Sequence, residues 1–138
     1  MRRLVPLLLV VLVAGCSQNP RHNYAVASTT VATSLFAIQD AEEAAYRAAR
    51  LTPAQHMVFN QTMLAALKVG REFNTAVLAW KPGETPPQQL PRLRELMLKL
   101  STEIIATFPE DVRVEIQKTI TATYDAILAV LLASQGGA

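Results

Sequence analysis

Few residues in this chain can do chemistry. Cys16 is its single cysteine, and His22 and His56 are its two histidines. Glu42 stands between Ile38 and Ala45 in an apolar stripe centred on Val31, where a charged group is out of place. A carboxylate among apolar neighbours costs several kcal/mol unless a partner satisfies it or it takes up a proton. Counting equal distances back from a turn at Leu51 sets Glu42 level with Asn60 and Gln61, and a fourth helical segment offers Arg113 and Lys118 at that height. His56 and Asn74 share the inner side of the second segment, with Arg71 at its flank. Glu42, His56, Asn60 and Arg113 therefore either line a polar pocket or act as interface groups that fix helix register. In a third reading, Glu42 only marks the edge of a narrow stripe. Fixing register is the commoner role for such residues.

Other chemistries lack their parts. His56, Met57, Met63 and Met97 have the atom types of haem ligands, but no Cys-x-x-Cys-His is present, and methionine on an apolar stripe is ordinarily core. Di-metal carboxylate bundles need Glu-x-x-His on two helices, and neither histidine stands three residues after a glutamate. Two histidines and one cysteine do not make a zinc site. No nucleophile lies on the face of His56, and no Gly-rich phosphate loop exists. The expectation is no enzyme, no metal and no cofactor.

The elements that must position these residues are helical. From about Tyr24 to Arg50, Ala27, Val31, Leu35, Ile38, Ala41, Ala45 and Ala48 recur at spacings of three and four. Thr52-Pro53-Ala54-Gln55 is a capping box that starts a second helix. Its stripe runs through Phe59, Met63, Ala66, Gly70, Phe73, Val77 and Trp80 to a stop at Lys81-Pro82-Gly83. Gly70 costs about 1 kcal/mol against alanine in a helix, which points to close approach of a neighbour.

A Pro-rich connection follows, in which Thr85-Pro86-Pro87-Gln88 repeats the capping pattern as a short turn. Pro91 opens a regular third helix that buries Leu93, Leu96, Met97, Leu100, Ile104 and Phe108. Thr107-Phe108-Pro109-Glu110 reads as a further capping box. The fourth helix, from about Pro109 to Ser134, turns Val112, Ile116, Ile120, Tyr124, Ile127, Val130 and Leu131 inward, and Gly136 and Gly137 close the chain. The expected fold is all-α, an antiparallel up-down-up-down four-helix bundle with a shorter third helix. Val114, Leu128 and Leu132 face outward in this reading. They are either a contact surface for a partner or the bilayer, or ordinary surface residues.

The start of the chain carries an address. Met1-Arg2-Arg3 precede an aliphatic run from Leu4 to Val13, and then Ala14-Gly15-Cys16. That run is about half of the roughly 20 apolar residues a membrane span needs, so it is a signal peptide and not a span. Val13-Ala14-Gly15-Cys16 resembles the lipobox of bacterial lipoproteins cut by the type II signal peptidase, with valine where leucine is commonest. The resemblance covers only the signal and the first mature residue. It implies cleavage before Cys16 and a diacylglyceryl group on its thiol, which also disposes of a lone cysteine in an oxidising compartment. Each buried methylene contributes about 0.8 kcal/mol, and stable anchoring takes more than one chain. Ser17 in place of aspartate after the cysteine implies, by the enteric rule, export to the outer membrane, facing the periplasm. The expected division is a signal peptide over 1–15, a polar tether over 16–23 carrying lipidated Cys16, and a bundle over 24–138.

Loss of Arg2 and Arg3 with the signal leaves eleven basic against eleven acidic residues. A neutral mature domain has no electrostatic reason to bind nucleic acid. These observations favour a lipid-anchored, non-catalytic interaction or envelope-structural module whose partners are the membrane and an envelope protein. The alternatives are a bundle that holds a small ligand or cofactor, and a phage- or prophage-encoded lipoprotein of lysis or superinfection exclusion.

Overall fold

Asn19 and Pro20 set the start of the first helix, α1 (Pro20–Arg47). The Asn19 side-chain oxygen accepts from the amide of His22 at 3.4 Å, and Pro20 fills the first turn, where no amide hydrogen is needed. The computed structural model describes residues 19–136, with side chains as far as Ala133; the signal segment and Val13-Ala14-Gly15-Cys16 lie outside the described residues. Periodicity alone places the helix start near Tyr24, because the polar cap and first turn carry no apolar repeat. The helix also stops earlier than the periodicity suggests. Ala49 takes φ 58°, with its amide on Tyr46 O at 3.0 Å and that of Arg50 on Ala45 O at 2.9 Å. This is the hydrogen-bond pattern of a Schellman stop, made here without glycine.

The second helix, α2 (Pro53–Ala79), has the expected capping box. Gln55 N donates to Thr52 Oγ1 at 3.1 Å, and Thr52 N donates to Gln55 Oε1 at 2.8 Å. A methyl group added at Gly70 would stand 3.2 Å from Leu35 Cδ1, so the close approach expected there is present.

The third helix departs from the regular helix expected. α3 (Leu90–Lys99) passes into a π-helical turn over Leu100–Ile104 and a 3-10 turn over Ile105–Thr107. The amide of Ile105 reaches back to Leu100 O, the five-residue step that defines a π bond. No side chain caps α3 at Gln89, and the Thr85–Gln88 pattern forms no cap; Gln88 Nε2 donates instead to Pro86 O at 2.7 Å. The box expected at Thr107 also does not form, because the Thr107 hydroxyl bonds back to Ile104 O at 2.9 Å. The last helix, α4 (Glu110–Gly136), follows at once.

The described residues form four helices and no strand. α1 packs on α2 and α4, and α3 packs on the same two helices from the other side. Val31, Leu35, Ile38, Phe59, Met63, Phe73, Met97, Leu100, Ile116 and Ile120 fill the centre. On α4, Tyr124 packs against this core as expected but is only partly buried, and beside it Thr123 is fully buried. The Thr123 hydroxyl is satisfied by Thr119 O at 2.8 Å. Over Glu110–Ala133, α4 has the length and apolar composition to cross a membrane. Within the bundle, Val112, Ile116, Ile120, Ile127 and Val130 are buried in the core, while Val114 and Leu132 on the same helix are exposed.

Side-chain links tie the helix ends together. Arg50, in the corner after α1, pairs with Asp111 at the start of α4 at 2.6 Å, and this bond holds the Asp111 carboxyl below its ordinary value. Gln55 Nε2 in the first turn of α2 donates to Thr107 O at 2.8 Å. Tyr24 in the first turns of α1 lies with its ring 5.2 Å from that of Trp80, just after α2.

Candidate functional site

Glu42 is buried, at 1% relative exposure, and its carboxylate is held by one imidazole. His56 Nδ1 donates to Glu42 Oε1 at 2.7 Å and to Oε2 at 3.1 Å. On the other side of the ring, Asn60 Nδ2 lies 3.0 Å from His56 Nε2, one helical turn along α2. The Tyr46 ring stacks on the imidazole with centroids 3.8 Å apart and planes 1° from parallel.

Local structure explains the placement. Glu42 and Tyr46 are one turn apart on α1 and share a face, as His56 and Asn60 do on α2. The short corner at Leu51 then folds the two faces together. Burial pushes the Glu42 carboxyl above its ordinary value; the His56 hydrogen bond and charge pull it back down, and neighbouring Glu43 adds a smaller upward push.

Three of the four residues expected to converge do so. Arg113 does not: it is half-buried and lines a shallow groove on α4 with Val114, Gln117, Lys118 and Thr121. Glu42 takes its partner from the neighbouring helix α2, so no cation from α4 is required. The apolar stripe of α1 passes through Ala45 and Ala48 and does not single out Tyr46; its place four residues after Glu42 is the signal the sequence offers. The Ser28 hydroxyl, also unforeseen, donates to Asn74 Oδ1 at 2.9 Å.

The arrangement orients an imidazole but leaves it no free nitrogen. Nδ1 serves Glu42 and Nε2 faces Asn60. Among the described residues no hydroxyl or thiol is bonded to the ring, and no three His, Cys, Asp or Glu side chains gather as a metal site. The cluster hydrogen-bonds a buried acid on α1 to an imidazole on α2.

The raised Glu42 value carries a pH dependence. A carboxyl whose folded-state value lies above its unfolded one favours folding fully below the ordinary value, near 4.5, and loses that contribution as pH rises through the folded value. The stability of Glu42→Gln relative to the parent should therefore rise as pH increases from about 4.5 towards neutrality. Urea midpoints of both proteins across that range measure this, and parallel curves would contradict it.

The proposed contact residues divide. Val114 and Leu132 are exposed, at 45% and 58%, whereas Leu128 is half-buried and not outward as expected. Leu128 stands four residues after Tyr124, on the half-buried side of α4.

The fold and site together define an all-helical protein with a buried carboxylate–imidazole–amide cluster. No protein-family model, curated protein or solved structure matches the chain.

Proposed function

We propose that the chain is the precursor of a bacterial lipoprotein, cleaved before Cys16 and held by lipid on that residue at a membrane facing the periplasm, the outer one by the Ser17 rule. Its domain, in this reading, is an antiparallel up-down-up-down bundle that acts as a non-catalytic interaction or envelope-structural module, with the membrane and an envelope protein as partners and no cofactor. The observation that carries the reading is Val13-Ala14-Gly15 ahead of the chain's single cysteine, after a basic start and a short apolar run. Support for the topology comes from the Arg50–Asp111 and Gln55–Thr107 links, which gather the end of α1, the start of α2, the end of the α3 segment and the start of α4. Support for a non-catalytic role comes from the saturated ring of His56.

Cys16→Ser tests the anchor. Metabolic labelling with a fatty acid, mobility on gels and membrane fractionation should show loss of lipid and of processing together. A Cys16→Ser protein still cleaved and still membrane-bound would refute the reading.

A further inference from the structure

The helix start at Pro20 shortens the distance between lipid and fold. Only Ser17, Gln18 and Asn19 separate Cys16 from α1, so the four steps from Cys16 to Pro20 span at most about 14 Å. A tether this short brings one particular end of the bundle to the membrane. That end holds the first turn of α1, the end of α2 beside Tyr24, the loop after Trp80 and the last turns of α4.

Its surface combines apolar, aromatic and cationic side chains. Leu78 is 72% exposed, the highest value among the large apolar side chains, and Leu132 is 58% exposed. Trp80 is half-buried, its indole N–H donating to Glu84 O at 3.1 Å and its ring set edge-on against Tyr24. Arg21 and Lys81 are exposed nearby, with Glu84 as the acidic neighbour. From Thr119 to Gly136, α4 carries a single charge, Asp125. Exposed leucines, an indole with a polar edge and long cationic side chains are the residue types that settle at the boundary between headgroups and acyl chains.

We infer that this end of the bundle docks on the lipid–water interface of the bilayer that holds Cys16. Leu78 and Leu132 enter the acyl boundary, Trp80 lies at headgroup level, and Arg21 and Lys81 meet lipid phosphates. The inference rests on lipidation of Cys16. It adds that the bundle is held upright on the membrane, with the Glu42–His56 cluster towards the far end. Met57 and Val58, also exposed, lie at that far end and stay out of the bilayer.

Trp80 is the chain's only tryptophan and reports on the contact directly. The processed full-length protein is reconstituted in phosphatidylethanolamine–phosphatidylglycerol vesicles, with or without lipids brominated near the glycerol end of the acyl chain. Bromine should quench roughly half of the Trp80 emission, as for an indole held at the interface. Leu78→Ser with Leu132→Ser should lower the docked fraction about tenfold. Met57→Ser with Val58→Ser, removal of two exposed apolar side chains at the far end, should leave quenching unchanged. Acylated protein that floats with the vesicles but shows no quenching, or equal quenching in both double variants, would overturn docking and leave the anchor intact. Absence of an acyl mass on Cys16, with no flotation, would overturn the anchor and the docking built on it.

Discussion

Replacing His56 by alanine is expected to destabilise the domain by about 2–3 kcal/mol at neutral pH, because removing the half-buried imidazole strands the buried carboxylate. Glu42 is 1% exposed, and His56 makes its only side-chain hydrogen bonds among the described residues. Without the imidazole, the carboxylate must stay ionised and unsatisfied or take up a proton at neutral pH, and both states cost folding energy. The deficit should shrink as pH falls towards 4.5, where protonation becomes cheap. Replacing Glu42 and His56 together by leucine should recover most of the loss, since an apolar pair has no charge to desolvate. Urea unfolding of the three variants reads out all of this. A single-variant loss below about 1 kcal/mol would mean that the pair contributes no more than an exposed one.

A loss of 3–5 kcal/mol is expected for Phe59→Ala, the range for removing a fully buried aromatic ring. Phe59 is 0% exposed on α2, and its ring lies 6.0 Å from that of Phe108 at the corner between the α3 segment and α4. The cavity would open where three elements meet, leaving little freedom for the neighbours to collapse. Leu78→Ala, at an exposed position of the same helix, should change stability by less than about 0.5 kcal/mol. Thermal and urea denaturation of the two variants side by side separate burial from helix propensity, and equal losses would contradict the packing described.

Much of this was legible in the sequence wherever the signal was local. Thr52-Pro53-Ala54-Gln55 specified its cap through side chains within one turn, and the three-and-four spacing of Val31, Leu35 and Ile38 specified a buried face. Glu42, His56 and Asn60 stood out because a polar group on an apolar stripe needs a partner. What escaped depended on backbone states that residue type does not announce. Ala49 ends α1 in a left-handed conformation that usually advertises itself through glycine. Thr107 matched a capping box but faces a chain that has left α geometry, so its hydroxyl turns backwards. Height along the bundle sets Arg113 level with Glu42, but height does not say which way a side chain on α4 points.

The π turn at Leu100–Ile104 has a meaning beyond local geometry. Each residue of a regular helix advances the face by about 100°, so one extra residue held in a turn is a phase shift for everything after it. Through that shift Ile105 becomes fully buried beside Ile104, and Phe108 still arrives at the core. The number of residues within this turn thus matters as much as their identity: a one-residue deletion would turn the chain's approach to α4 out of register with the rest of the bundle.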